Sequence, residues 1–212
     1  LPPSYDYRQQ HYPVLYMHDG YNLFDEATSF TGEWHVDETM EKLAYEEKLE
    51  AIVVGIPSMG HERLAEYSPF VDKTHGGGKG DAYLDFMVHT LKPLIDQSFR
   101  TLPNKPNTGI MGSSMGGLIS LYAFFRHPSV YGFAGVMSPS VWFANRAILG
   151  YLEEAQYQEG KIYLDAGTRE MGGHWPDQTI MRSRSRRYYG RARRIKRILV
   201  KKGYRPTRTL LH

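Results

Sequence analysis

Residues 107–126, NTGIMGSSMGGLISLYAFFR, contain the stretch that decides the fold. At its centre, residues 112–117 fit the pattern G-x-S-x-G around Ser114. The short apolar run before the pattern predicts a buried strand, and the apolar periodicity after it predicts a helix that ends before Pro128. A serine on such a sharp strand-to-helix turn holds its hydroxyl clear of the sheet, where it can act as a nucleophile.

A plain glycine-rich turn is the alternative interpretation of this pattern, because G-x-S-x-G also occurs by chance. The context favours the nucleophile. Gly112 and Gly116 supply the small neighbours that a strained turn needs, and Gly117 allows the helix to pack closely on the strand.

The composition indicates one globular domain over residues 1–212, with 41% hydrophobic and 23% charged residues. The apolar runs are much shorter than the roughly 20 residues that span a bilayer, so we expect no membrane span. No signal peptide is recognisable. The chain has no cysteine, which excludes disulfides and thiolate chemistry. Both the cytoplasm and an exported compartment fit this composition, with the cytoplasm slightly favoured.

Apolar runs and helical patterns alternate along the chain. Strands are predicted at 14–17, 51–56, 108–111, 133–137 and 162–166, and helices at 36–47, 82–99, 115–126 and 146–154. Asp81 is the predicted N-cap of the second helix, whose predicted buried face consists of Tyr83, Phe86, Met87, Leu91, Leu94 and Ile95. The alternation predicts an α/β fold in which helices cover a mainly parallel sheet and ligands bind at the carboxyl ends of the strands.

The charge is unevenly distributed. From residue 179 onward the chain has 13 Lys and Arg and no acidic residue, whereas the preceding part has 13 basic and 23 acidic residues. This basic segment could bind a polyanion. The spacing of its apolar residues instead favours an amphipathic surface helix over 191–202, and few aromatics are present to stack on bases, so we expect no nucleic-acid partner.

A nucleophilic serine needs an acid, a base and oxyanion donors. In folds with this type of strand-to-helix turn, the serine comes first along the chain, then the acid and then the histidine. Glu170 lies in the loop after the strand at 162–166 and is the predicted acid. Its rival, Asp165, lies inside that strand, which favours a structural role. The predicted oxyanion donors are the backbone N–H of Met115 and that of Tyr21 or Gly20.

The candidate bases are His174 and His212, the two histidines that follow Glu170. His174 shares the loop of the acid, and His212 is the last residue, after an apparent strand at 208–211. Because the base usually lies beyond that strand, and because residues 1–5 resemble the exit of a strand, we expect the domain to be truncated at both ends. Trp34 and Trp142 are predicted to line the substrate pocket, with Trp175 a further candidate. No metal site or cofactor is predicted.

Several longer motifs occur from residue 1 to about residue 170, and the chain resembles the putative-esterase branch of the α/β-hydrolase fold. This branch includes esterase D, feruloyl esterases, siderophore trilactone esterases and the antigen 85 mycolyltransferases. The motifs are LPPSY (1–5), YPVLYMHDG (12–20), NLF (22–24), EYSP (66–69), the 112–117 turn, SPSVWF (138–143) and LDAGT (164–168). The resemblance implies a three-layer α/β-hydrolase fold with Ser114 as nucleophile, Glu170 at the acid position and a histidine after a segment such as 202–204. The SPSVWF motif is closest to the siderophore esterases.

These observations predict a serine carboxylic ester hydrolase that forms an acyl-enzyme and acts on a small-molecule ester. An acyltransferase is the nearest alternative, because an alcohol can replace water as the acceptor. An inactive hydrolase-fold binding protein with a basic C-terminal surface is the alternative from another class. The sequence leaves the acyl group, the alcohol and the oligomeric state open.

Overall fold

The computed structural model describes residues 1–30, 32–169, 178–206 and 210–211, and all of their side chains except those of 178–181 and 210–211. Eight strands lie in this described part of the chain. They are β1 (Val14–His18), β2 (Ile52–Ile56), β3 (Val71–Asp72), β4 (Gly76–Gly77), β5 (Thr108–Ser113), β6 (Phe133–Met137), β7 (Lys161–Asp165) and β8 (Leu210–Leu211). Strands β3 and β4 form a small antiparallel pair. The other six form one parallel sheet in the order β2-β1-β5-β6-β7-β8.

Helices connect these strands. They are α1 (Val36–Glu46), α2 (Arg63–Glu66), α3 (Gly80–Phe86), α4 (Lys92–Ser98), α5 (Met115–Arg126), α6 (Ala147–Glu154) and α7 (Gln178–Lys201). A π-helical segment, Met87–Leu91, joins α3 to α4, and a 3-10 helix, Gly20–Asn22, follows β1. The predicted central elements are confirmed to within two residues at most ends, including α5 from Met115 to Arg126.

The side chains of the sheet alternate between two cores, because successive residues of a strand point to opposite faces. On one face, Val14 and Tyr16 pack in the large apolar core that includes α5, which is buried from Met115 to Phe125. On the other face, Met17 packs against Val36 of α1. Helices therefore cover both faces of a parallel sheet, which confirms the three-layer α/β fold.

Two details of the predicted helix at 82–99 are wrong. The N-cap is Lys79 rather than Asp81, which lies inside the first turn of α3. Phe86 and Leu94 were expected to be buried, but they are 48% and 56% exposed. Up to the first residue of the π-helical segment, Tyr83, Leu84 and Met87 form the buried face rather than Phe86. The wider turn of that segment then changes which side chains of α4 face the core.

The basic segment forms a helix that is longer than expected. Helix α7 begins at Gln178, 13 residues before the predicted start, and Ser185 and Tyr188 continue its buried face toward the N-terminus. A row of exposed cations runs along the opposite side, over about 28 Å at 1.5 Å per residue. This basic stripe consists of Arg182, Arg186, Arg193, Arg197 and Lys201. No helix of the described residues is both long and apolar enough to cross a membrane.

Candidate active site

Ser114 occupies the sharp turn between β5 and α5. Its backbone has φ 56° and ψ −116°, a conformation that costs a residue with a Cβ about 1–3 kcal/mol. Hydrogen bonds hold the turn in place. The Ser114 N–H donates to the Met137 carbonyl (3.0 Å), and the Ser114 carbonyl accepts from the N–H groups of Leu118 (3.1 Å) and Ser140 (2.9 Å). The turn is therefore fixed by β6, by the loop after β6 and by α5.

The glycines around Ser114 are required by close packing. A Cβ on Gly112 would lie 2.9 Å from both the Gly116 carbonyl carbon and the His18 ring. A Cβ on Gly117 would lie 2.8 Å from the Met137 carbonyl oxygen. Both distances are shorter than a methyl group tolerates, so the strand-to-helix turn can form only with glycine at these positions.

The Ser114 hydroxyl meets a second serine and two cavities. Its Oγ lies 2.9 Å from the Oγ of Ser140, which is 2% exposed. Ser114 lines a cavity of about 1050 Å³ and also a smaller one of about 520 Å³. It is thus a wall residue of both cavities.

The two cavities differ in their walls. The larger one is lined mainly by aromatic and polar side chains, among them Tyr21, Phe30, Trp34 and His61. The smaller one is lined by Ser138, Ser140, Trp142 and Tyr188, the last from α7. Trp34 and Trp142 therefore lie at different cavities, and both cavities reach Ser114.

The loop after β1 begins with a residue in an unusual backbone conformation. Asp19 has φ 57° and ψ 49°, the left-handed conformation that Asp tolerates better than most residues. The next residue, Gly20, does not have a positive φ. A Cβ on Gly20 would lie 2.8 Å from the Gly55 carbonyl carbon and 2.9 Å from the Ile56 nitrogen, so glycine is needed there for contact with β2. This packing brings Tyr21 to the wall of the larger cavity.

Two helix N-termini start beside Ser114. Met115 begins α5, and Gly20 begins the 3-10 helix that contains Tyr21. The first N–H groups of a helix have no acceptor within that helix, so they are available to a ligand oxygen. The residues predicted to supply the oxyanion donors thus lie on two elements that border the same site.

Arg63, the first residue of α2, forms a bidentate ion pair with Asp19. Its Nε and one terminal nitrogen donate to the two Asp19 carboxylate oxygens at 2.7 and 2.8 Å. Burial disfavours the Arg63 charge, but the hydrogen bonds and charge of Asp19 outweigh this effect, so the pKa of Arg63 lies above its ordinary value. The side chain lines both cavities. Arg63 was not predicted, because a single Arg on a four-residue helix has no recognisable sequence signal.

His18 lies buried beneath the turn. Its Nδ1 is 2.8 Å from the Tyr83 hydroxyl, and its ring packs against those of Tyr67 and Tyr83. Burial lowers the pKa of His18 to about 4, against the opposing effect of the Asp19 charge. His18 is therefore neutral near pH 7 and helps to hold the β1 loop together.

The remaining predicted catalytic residues, Glu170, His174 and His212, lie outside the described residues, as does Trp175. Asp165, the rival acid, is inside the described part. Its Oδ1 accepts from the Ser138 N–H (3.0 Å) and its Oδ2 accepts from the Tyr163 hydroxyl (3.0 Å). Both oxygens of Asp165 thus take part in structural hydrogen bonds, which agrees with the role expected from its position inside a strand.

One group of potential metal ligands occurs in the described part of the chain. Donor atoms of Glu33, His35 and Glu38 lie within 4.8 Å of one another beside the N-terminus of α1. His35 and Glu38 are exposed, and His35 makes ion-pair contacts of 3.6 and 3.4 Å with the two carboxylates. Pairing of His35 with the two carboxylates accounts for the short distances within this group.

Comparison with known proteins gives matches along most of the chain. A sequence model described as "Putative esterase" matches residues 1–204. The uncharacterized protein YbbA of Bacillus subtilis is 29% identical over 177 residues, which are 80% of this chain and 66% of that protein. A siderophore enterobactin esterase of Emericella nidulans is 34% identical over 77 residues, 36% of this chain and 25% of that protein. The chain thus spans slightly less than two thirds of the first of these relatives and a quarter of the second.

The fold is also found in solved structures. The siderophore hydrolase EstB from Aspergillus nidulans superposes with a TM-score of 0.66 over 92% of this chain and 72% of that one, at 21% identity. At this level of identity, the similarity is evidence of the shared fold.

Proposed function

Because this chain belongs to the putative esterase family, we propose that it is a serine carboxylic ester hydrolase that works through an acyl-enzyme. The observation that most supports this proposal is the geometry at Ser114. A strained backbone holds Ser114 at the wall of two cavities, directly before the N-terminus of a buried helix. Backbone strain of this kind persists where the surrounding structure holds it, and it is often found at reacting groups.

In the proposed reaction, Ser114 Oγ attacks the carbonyl carbon of the ester while a histidine takes the hydroxyl proton. The carbonyl oxygen becomes an oxyanion, which the backbone N–H groups of Met115 and of Tyr21 or Gly20 stabilise. The tetrahedral intermediate collapses with loss of the alcohol, which receives the proton from the histidine. Water then attacks the acyl-enzyme in the same way and releases the acid. Removal of one oxyanion donor typically lowers turnover about 100- to 1000-fold.

The acid and base complete the proposal. Glu170 orients the histidine and stabilises its charged form, and His174 and His212 are the two histidines that follow it in the sequence. The buried His18 does not serve as this base, because its Nδ1 contacts Tyr83 and its ring lies beneath the turn.

The two cavities suggest how an ester is held. We place the bulkier part of the substrate in the larger cavity, beside Tyr21 and Trp34, and the smaller part beside Trp142. The siderophore esterases among the relatives are consistent with a bulky substituted ester as substrate. Aromatic walls suit such a group because they bury apolar area without flexible side chains.

The test is hydrolysis of a chromogenic ester by the wild-type protein and by Ser114→Ala. We expect the substitution to lower kcat by about 10⁴-fold or more, because the members of a catalytic triad act as a unit. Ser98→Ala is the matched control, since Ser98 is an exposed serine at the end of α4, and it should retain full activity. Mass spectrometry after rapid quenching should find the acyl group on the peptide that contains Ser114. Equal turnover by wild type and Ser114→Ala would refute the proposal.

A further inference from the structure

The left-handed Asp19 is held from two sides by residues of one short segment. Its carboxylate binds the guanidinium of Arg63, and its N–H donates to the Tyr67 hydroxyl at 3.1 Å. The Arg63 guanidinium lies 5.0 Å from the Tyr67 ring centre. Helix α2 and the residue after it therefore hold both the side chain and the backbone of Asp19.

The segment that follows Asp19 has little freedom of its own. Gly20 contacts the main chain of β2 so closely that no Cβ fits, and Tyr21 reaches the larger cavity one residue later. The direction of the N–H groups of Gly20 and Tyr21 is thus set by two features: the packing on β2 and the left-handed turn at Asp19. The packing is built into the sheet, whereas the turn depends on Arg63 and Tyr67.

We propose that Arg63 is a positioning residue, which fixes the left-handed turn at Asp19 and thereby aims the backbone N–H groups of the Gly20–Tyr21 loop at the oxyanion. This inference rests on the proposed esterase function. It explains why a bidentate ion pair stands at the wall of both cavities with only 12% of the Asp19 side chain and 28% of the Arg63 side chain exposed. The pair connects α2 to the loop that faces the nucleophile.

The location of Arg63 also allows a different role, which the experiment separates from positioning. A guanidinium at the cavity wall could bind a negatively charged part of the substrate directly. In that role it would affect the affinity for anionic esters only. As a positioning residue it affects the chemical step for every ester, including neutral ones.

The experiment compares Arg63→Met, Asp19→Asn and the double variant with the wild type, using a neutral ester. We expect each single variant to lower kcat about 10- to 100-fold with KM changed by less than about threefold, since a displaced donor weakens binding of the transition state rather than of the substrate. The double variant should be no slower than the single ones, because the two residues act as one unit. Asn tolerates the left-handed conformation, so Asp19→Asn removes the charge with little added backbone strain.

Urea unfolding of the same variants separates positioning from a merely structural role. Arg63→Met leaves the Asp19 carboxylate unpaired and should lower the unfolding midpoint, and the double variant should recover most of that loss because no lone charge remains. We expect stability to recover while kcat stays low. Arg126→Met is the matched control, since Arg126 pairs with Asp81 at 3.1 Å on an exposed surface, and it should leave kcat unchanged.

The possible results are distinguishable. Recovery of both kcat and stability in the double variant would overturn positioning in favour of a structural ion pair. An increase in KM for a carboxylate-bearing ester, with kcat for the neutral ester unchanged, would overturn it in favour of an anion subsite. The wild type and Ser114→Ala are assayed first, so that lack of Ser114-dependent turnover refutes the proposed function before Arg63 is considered.

Discussion

Replacing Ser114 by glycine should stabilise the protein relative to replacing it by alanine. Both substitutions remove the hydroxyl and its 2.9 Å contact with Ser140, so that loss cancels in the comparison. Alanine keeps a Cβ at φ 56°, whereas glycine relieves the strain, which amounts to about 1–3 kcal/mol. Glycine also gives the unfolded chain more conformational freedom, which lowers the free energy of unfolding by about 0.4–1 kcal/mol. The free energy of unfolding of Ser114→Gly should therefore exceed that of Ser114→Ala by about 1–2 kcal/mol.

The assay is equilibrium unfolding in urea, followed by circular dichroism, with equal m-values required for the two variants. In a thermal scan the same difference corresponds to roughly 2–8 °C in Tm. Ser120 provides a control of opposite sign. It lies in the regular part of α5, where glycine costs about 1 kcal/mol relative to alanine, so Ser120→Gly should be the less stable of that pair. If Ser114→Gly proves no more stable than Ser114→Ala, the strain assigned to the turn is absent.

Three further predictions concern the surroundings of Ser114. Gly20→Ala places a methyl group 2.8 Å from main-chain carbon of β2, and should lower stability by about 1–3 kcal/mol and kcat by about 100-fold, as measured by urea unfolding and ester hydrolysis. Burial lowers the pKa of His18 to about 4, so the unfolded state takes up a proton near pH 6.5, whereas the folded state takes it up only near pH 4. Stability should therefore fall as the pH decreases. The wild type should lose about 2 kcal/mol more than His18→Gln between pH 7 and pH 5. Trp34→Ala should reduce the kcat/KM for a bulky aromatic acyl ester, relative to an acetyl ester, by about tenfold, whereas Trp142→Ala should not.

Each of these predictions can fail in a distinct way. Full activity of Gly20→Ala would show that the loop yields without moving its N–H groups. Parallel pH dependence of wild type and His18→Gln would mean that His18 takes up its proton in the folded state. Equal effects of the two tryptophan substitutions on the ester ratio would contradict the assignment of the bulky group to the larger cavity.

The turn at Ser114 could be predicted from the sequence because its determinants are local. Three glycines within six residues, a buried strand before them and a buried helix after them leave few alternative structures. The succession of central strands and helices along the chain likewise follows from apolar runs that alternate with helical patterns. Local patterns of this kind are therefore enough to predict the fold, without the short motifs that indicate the family.

The conformation of the β1 loop could not be predicted in the same way. Glycine is the usual residue at positive φ, but the left-handed residue of this loop is Asp19 rather than Gly20. The reason is that Asp19 pairs with Arg63, which is 44 positions away, while Gly20 is required by contact with β2. Contacts between distant segments therefore decide that Asp19, and not Gly20, adopts the left-handed conformation.

The differences between the predicted and the observed helices also arise from features that the local sequence does not show. The start of α7 was missed because residues 178–190 contain few apolar residues, and only the burial of Ser185 and Tyr188 in the folded protein shows that they continue its inner face. Leu94 fits a regular helical period that the π-helical segment Met87–Leu91 interrupts, and Phe86 is exposed because Leu84 faces the core in its place. Neither the acid nor the base of the proposed triad can be judged in this way, because Glu170, His174 and His212 lie outside the described residues.

The basic stripe concentrates positive charge along one exposed side of α7. Five aligned cations lie on one surface, while all 23 acidic residues belong to the part of the chain before residue 179. Such a stripe creates a local positive potential, which attracts a negatively charged surface before contact is made. The same cations repel one another along the helix, so added salt, by screening them, should favour the ordered helix. Ionic strength is thus a variable to hold constant when the protein is compared across buffers.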